Sequence, residues 1–200
     1  VTREMEIVVE KEGLTPGDVR EGIVDGTIVV ASGNGRQEMA IGIGKGLRTK
    51  VNASIGTSSD MVDLEMELEK ARVAESSGAD TLMELSTAGD LDEIRRAILA
   101  SVTFPVGSVP LYQASSEARA CFGSSSLMTD ELLFEVIEKQ ARDGIGFMAI
   151  HCGINRLSVS ALHKQGGRDG GLVSRGGAFM ISWMSAQGRE NPLFEQFDRL

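Results

Sequence analysis

The sequence predicts an α/β fold built on a parallel sheet, and two features carry that expectation. Short apolar runs end abruptly in polar residues or glycine at Lys50–Gly56, Thr81–Asp90, Phe104–Gln113, Phe147–Gly153 and Gly171–Gly177. This is how buried parallel strands deliver side chains to the rim of a sheet. Between these runs lie stretches with helical apolar spacing. Strands and helices therefore alternate at roughly 25–40 residue intervals, which implies right-handed βαβ units. A barrel and a doubly wound sheet both satisfy that alternation.

Taken in order, residues 1–20 read as a short helix and a turn, with Pro16 after Thr15 placed to start a second helix. Gly26–Ala31 is a β-branched strand. A glycine-rich loop, Ser32–Gly46, follows and contains Gly42-Ile-Gly-Lys-Gly46. It lacks the Gly-Lys-Ser/Thr ending and the following helix of a nucleotide-binding P-loop. A flexible connection and a phosphate cradle both fit it. Thr49–Ile55 is a strand and Asp60–Ser77 a helix with Leu64, Leu68 and Ala71 on one face, capped by Ser59 or Asp60 and ended at Gly78. Thr81–Leu85 is the next strand, and Asp90–Val102 the next helix, with Leu91, Ile94 and Ile98 inward. Phe104–Leu111 reads as a strand bounded by Pro105 and Pro110, and Ser115–Ser126, rich in small polar residues, as a longer loop. Thr129 caps a helix through Asp143 whose first turn is acidic, as the helix dipole favours. Ile145–Ile150 is a strand, Leu157–Lys164 a helix, Leu172–Val173 a short strand, and Gly177–Ser185 opens another apolar helix.

The organisation expected from this is an N-terminal segment with its glycine-rich loop over residues 1–48, followed by the α/β domain over 49–200. No Gly-x-Gly-x-x-Gly turn follows the first strand, which weakens a dinucleotide-binding sheet. A barrel needs eight strands and about 250 residues, so a barrel here would be incomplete. The ends point the same way: there is no initiating methionine, and Leu193–Leu200 has helical spacing without a stop signal. The expectation is a fragment.

Composition narrows the classes. A formal charge of −9 with scattered basic residues argues against a nucleic-acid binder. The charged N-terminus is no signal peptide, and no apolar run approaches the roughly 18 residues of a membrane span. Two cysteines, Cys121 and Cys152, cannot by themselves build a disulfide framework or a multi-cysteine metal site. A cytoplasmic setting is expected.

At the strand ends the chain offers Asn52 and Ser54, Met83 and Glu84, Tyr112 and Gln113, His151, and Ser174-Arg175-Gly176. His151 closes the run Phe147-Met-Ala-Ile-His, either as a satisfied core group or as a cleft residue that binds substrate or moves a proton near neutral pH. Alternation points Cys152 the other way, so a Cys–His nucleophile pair is not expected. Ser174-Arg-Gly-Gly177 before an apolar helix reads as an anion site or as a tight turn with a solvated arginine. Glu84 sits in an apolar strand and must be paired, rim-exposed or shifted in pKa. If Met83 faces the site, Glu84 supports it from behind. Tyr112 is either a contact or packing over the rim, and nothing adjacent marks Lys50 as a desolvated Schiff-base lysine. Spacing alone yields a phosphate-handling α/β enzyme.

Five stretches add more. Val51-Asn-Ala-Ser-Ile-Gly-Thr-Ser58, Met83-Glu-Leu-Ser-Thr87, Val109-Pro-Leu-Tyr-Gln113, Ile150-His-Cys-Gly153 and Val173-Ser-Arg-Gly-Gly177 occur in this order. Together they resemble the phosphomethylpyrimidine synthase family, radical enzymes of thiamine pyrimidine synthesis, from about Thr2 to Leu200. The resemblance implies a (β/α)8 TIM-type barrel, of which the N-terminal and central part is present, usually as a homodimer. It implies a radical S-adenosylmethionine carbon–carbon lyase that rearranges 5-aminoimidazole ribotide to 4-amino-5-hydroxymethyl-2-methylpyrimidine phosphate. A [4Fe-4S] cluster, S-adenosylmethionine and zinc are implied as cofactors, with metal ligands C-terminal to this chain, so the chain alone is expected to be inactive. Carried over as substrate-binding are Ser54, Met83, Tyr112, His151, Ser174, Arg175 and Gly176; no catalytic residue is assigned. Two positions depart from the family pattern, with Ser54 in place of asparagine and Glu84 in place of aspartate. A sister branch, the 5-hydroxybenzimidazole synthases that make a cobamide lower ligand from the same ribotide, shares this core. A non-radical sugar-phosphate barrel enzyme and a ligand-binding relic remain as further readings.

Overall fold

The computed structural model describes residues 1–33 and 35–200. The chain opens with helices α1 (Arg3–Glu12) and α2 (Pro16–Val24), then strands β1 (Ile28–Ala31), β2 (Ile41–Gly44) and β3 (Asn52–Ile55). Helix α3 (Leu64–Ser76), strand β4 (Thr81–Glu84), helix α4 (Leu91–Ser101) and strand β5 (Val106–Ser108) follow. After α5 (Pro110–Phe122), α6 (Asp130–Arg142) and β6 (Phe147–Met148), the chain ends in α7 (Arg156–Lys164), α8 (Arg175–Gln187) and the single turn α9 (Pro192–Glu195). Two compact units result: Val1–Ser108 with Glu138–Met148, and Val109–Ile137 with Ala149–Leu200.

In the first unit β3, β4, β5 and β6 form a parallel sheet in that order, giving a mixed α/β architecture. Register pairs Asn52 with Thr81, Ser54 with Met83, Met83 with Gly107 and Gly107 with Phe147. Because side chains alternate along a strand, one face carries Ile55, Leu82 and Val106. These pack with Ala71 of α3, Ile94, Ile98 and Leu99 of α4, and Val102, Phe104 and Ile145. Leu82 has no exposed surface; burying one such leucine is worth about 1.5–3 kcal/mol. The second face carries Asn52, Ser54, Thr81, Met83 and Gly107. A Cβ on Gly107 would lie 2.2 Å from the Phe147 ring, so glycine is what lets the ring lie across the strand.

The helices start where the sequence caps them. Thr15 and Asp18 form a capping box with Pro16 at the first position of α2, Asp90 accepts the Glu93 N–H ahead of α4, and Thr129 accepts the Leu132 N–H ahead of α6. Arg95 of α4 is buried and bonds Asp143 at 3.1 Å through Nε and Asp92 at 2.7 Å.

Several expectations are corrected. The glycine-rich stretch is neither a loose connection nor a phosphate cradle over 41–44: it is β2, antiparallel to β1, with Ile28 opposite Gly44 and Ala31 opposite Ile41. Gly44 (φ 146°) brings its Cα so close to Thr27 that a Cβ would meet the Thr27 carbonyl, which is why glycine recurs there. Residue 34 of that stretch lies outside the described residues. Helix α3 begins late, capped by Asp63 rather than Ser59 or Asp60, because Ser58 and Met61 bond each other and close a turn first. The expected strand Phe104–Leu111 ends at Ser108, since Pro110 serves as the first residue of a helix. The expected loop Ser115–Ser126 is mostly that helix, α5: alanines 114 and 118 are buried, and Gly123 at φ 81° stops it. Leu172–Val173 pairs with no strand among the described residues, and Val173 is exposed. Two apolar residues without a neighbouring strand cannot make a ladder.

The second unit is helical. Its core includes Leu111 and Ala114 of α5, Leu133 and Phe134 of α6, and Met180 and Trp183 of α8, with the Trp183 indole donating to the Met128 carbonyl at 2.8 Å.

Candidate functional site

The expected substrate contacts fall into two groups, one in each unit. In the first unit the sheet register places Ser54 and Met83 side by side on the second face, Ser54 exposed and Met83 half-buried. Glu84 lies behind them, 7% exposed, with Oε1 accepting the Ser86 N–H at 2.6 Å. Burial pushes its carboxyl pKa up, partly offset by its bonds to Ser86 and by Arg95. Asn52 is exposed and accepts a hydrogen bond from Thr81 Oγ1 at 3.0 Å. Lys50 corrects its expectation. Its side chain is 7% exposed and desolvated, but Nζ is committed to Glu12 at 2.7 Å and to the Arg48 carbonyl at 2.6 Å. A cavity of about 370 Å3 runs past Lys50, Asn52, Thr81 and Phe147.

In the second unit Tyr112, His151, Ser174, Arg175 and Gly176 come together. Tyr112 stands on the first turn of α5, not at a strand end, half-buried and edge-on to Phe179 with ring centroids 6.2 Å apart. The Arg175 guanidinium lies over the Tyr112 ring at 5.6 Å, a cation–π contact. Ser174 caps α8 by accepting the Gly177 N–H at 3.1 Å. Gly176 packs on the imidazole: a Cβ there would stand 2.2 Å from His151 Nε2. His151 Nδ1 is buried without a hydrogen-bond partner, and burial lowers the ring's pKa, so the imidazole is neutral at pH 7. Gln113, the other residue of that expected strand end, is buried and donates to Glu117. The basic groove between α7 and α8, about 460 Å3 and lined by Arg156, His163 and Lys164, contains none of these residues.

Sequence reasoning missed two residues that hold these groups. Asn191 is fully buried, and its Nδ2 donates to the carbonyls of His151 (2.8 Å) and Ile154 (2.7 Å), fixing the backbone that carries the histidine. Its only signal is the Asn-Pro pair that opens α9. Glu67 of α3 is 2% exposed and accepts the Gly56 N–H at 2.8 Å. Within a run of alternating acidic residues it looks like any other solvated carboxylate.

Among the described residues no grouping of three or more His, Cys, Asp or Glu could hold a metal, and Cys121 is exposed while Cys152 is half-buried. No described helix is long and apolar enough to cross a membrane.

A parallel α/β unit with polar side chains beyond its strands, and a helical unit holding a neutral imidazole beside an arginine-bearing helix start, make up a mixed α/β protein. The chain belongs to the Radical SAM ThiC family, whose profile matches residues 1–200. It is similar to a 5-hydroxybenzimidazole synthase of Geobacter sulfurreducens (54% identical over 200 residues) and to phosphomethylpyrimidine synthase 1 of Methanothermobacter thermautotrophicus (57% over 199). It is also 54% identical over 200 residues to phosphomethylpyrimidine synthase 2 of Methanosarcina mazei. These matches take in 99–100% of this chain and 46% of each relative. The chain therefore spans about half the length of the curated relatives it matches.

Proposed function

We propose that this chain forms the substrate-holding part of a radical S-adenosylmethionine enzyme that rearranges 5-aminoimidazole ribotide to the pyrimidine phosphate of thiamine synthesis. The observation that carries the reading is the clustering of Tyr112, His151, Ser174, Arg175 and Gly176 in a chain whose whole length matches the family. Arg175 and the N–H groups opening α8 suit the ribotide phosphate, since a helix start favours negative charge. His151, neutral at pH 7, offers the aminoimidazole a hydrogen bond without a competing charge. In the sheet unit, Ser54 and Met83 are candidate substrate contacts by resemblance, the serine hydroxyl with one donor and a short reach. Held in one orientation, the substrate presents a fixed atom for abstraction.

The cofactors implied by the family are a [4Fe-4S] cluster with S-adenosylmethionine, which supply the initiating radical, and zinc. The described residues do not fit either metal site. By resemblance, their ligands lie C-terminal to residue 200. The same proposal includes a (β/α)8 barrel whose partial form covers 49–200, a homodimer and a cytoplasmic setting. The outer edge of β3, unpaired among the described residues, supports the barrel. There Ala53, Ile55, Met66 and Val73 line a groove of about 600 Å3, an edge of the kind that barrel closure covers.

A second reading, 5-hydroxybenzimidazole from the same ribotide, is favoured by Ser54 and by the relatives of that name. The test is anaerobic reconstitution of the full-length protein with ribotide and S-adenosylmethionine, followed by mass analysis. A pyrimidine phosphate supports the first reading and a benzimidazole the second; turnover of a sugar phosphate without iron or S-adenosylmethionine overturns both.

A further inference from the structure

Ser54 and Met83 project from one face of the sheet, but the groups that hold their strand ends lie on the other. Glu67 accepts the N–H of Gly56, the first residue beyond β3, and its other oxygen pairs with Lys70. Glu84 accepts the N–H of Ser86, the second residue beyond β4. Both carboxyls are out of water. The charge of Glu67 adds to the burial that raises the Glu84 pKa. Replacing buried charges by apolar groups is often neutral or stabilising, so two acids at this end of a hydrophobic core call for a role beyond packing.

The loops they hold are bonded to each other. The Thr57 N–H donates to Ser86 Oγ (3.0 Å), the Thr87 N–H to the Thr57 carbonyl (3.1 Å), and Thr57 Oγ1 to the Ala88 carbonyl (2.6 Å). Gly56, at φ 151°, approaches so closely that a Cβ would stand 2.6 Å from the Leu85–Ser86 peptide. Any shift of Ser86 is thus passed to Thr57, three residues from Ser54.

We propose that Glu67 and Glu84 are paired positioning residues, each holding the backbone just past a strand end, and that together they set how Ser54 and Met83 meet the ribotide. The identity of the ligand rests on the functional reading above; the latch rests on the geometry alone.

The test combines hydrogen–deuterium exchange of segments 54–58 and 84–88 with calorimetric titration of 5-aminoimidazole ribotide into the full-length protein. Glu84→Ala is expected to raise exchange about tenfold in both segments, about the worth of one buried hydrogen bond, with segment 94–99 unchanged. Ribotide binding weakens by about the same factor. Glu84→Gln, which keeps an acceptor of the same shape, restores both to within about threefold of wild type. Ser86→Ala removes the relay hydroxyl and is expected to raise exchange in 54–58 while sparing 84–88; it decides the matter if Glu84→Ala does not fold. A rise confined to 84–88, a uniform rise across the chain, or ribotide affinity unchanged in Glu84→Ala overturns the proposal. Wild-type protein that does not bind ribotide overturns the functional reading instead, and the exchange comparison still judges the latch.

Discussion

The two units hold their candidate contacts by opposite means. In the first, Ser54 and Met83 owe their alignment to strand register, with buried carboxylates bonded to backbone behind them. In the second, uncharged groups do the holding: a glycine against the imidazole, an asparagine amide on two carbonyls, and a serine cap. The difference teaches where each is vulnerable. A contact set by register responds to changes in the apolar core, whereas one set by close local packing responds to single atoms beside it.

The sharpest way to break that contrast is Leu82→Ala, which empties a fully buried site on β4 next to Met83. It is expected to cost about 2–5 kcal/mol by urea unfolding; a loss under about 1 kcal/mol would show that β4 does not depend on this core. Asn191→Leu, similar in size, leaves the His151 and Ile154 carbonyls without their donor. About 2–4 kcal/mol should be lost, and unchanged stability would remove Asn191 from the account of the second unit.

Gly176→Ala is a finer probe. Alanine suits a helix by up to about 1 kcal/mol over glycine, which offsets much of the strain, but the new methyl displaces His151. Ribotide affinity by calorimetry should fall about tenfold, or ~1.4 kcal/mol, with little change in melting temperature. Unaltered affinity would separate the histidine's position from this contact.

The smallest effects are in pH, and the two units run in opposite directions. Burial raises the Glu84 pKa, so its stabilisation is complete below the ordinary value of 4.5 and is lost as pH rises through its folded value. Burial lowers the His151 pKa, so its contribution is complete above 6.5 and is lost as pH falls through its folded value. Urea midpoints between pH 4.5 and 8 should show a flattened descent in Glu84→Gln and a flattened acid limb in His151→Gln. A Glu84→Gln profile parallel to wild type would sink the account of Glu84 as a buried acid of raised pKa.

Much of this was legible in the residues. The helix starts read at Thr15-Pro16, Asp90 and Thr129 rest on signals that work within a few residues of themselves, so these helices are where the pattern puts them. The runs around Ala53, Leu82 and Val106 read as strands because a parallel strand covered by helices is apolar over its length. Pro110 was the ambiguous sign. Proline ends a strand and begins a helix equally well, and only the burial of Leu111, Ala114 and Ala118 on one side selects the helix that carries Tyr112. Likewise β2 could not be read from Gly42-Ile-Gly-Lys-Gly46, since its antiparallel partner supplies the reason for those glycines.

The sequence by itself determined the alternation of strands and helices, the starts of α2, α4 and α6, and the set of residues that ties this chain to its family. Those are properties of short windows: periodicity, caps and motif spacing. Tertiary structure alone decided that Ser54 and Met83 share one face in register, that Glu67 is a buried anchor rather than a solvated acid, and that Gly176 and Asn191 hold His151. Burial, register and close approach depend on partners tens of residues away, so no local pattern encodes them.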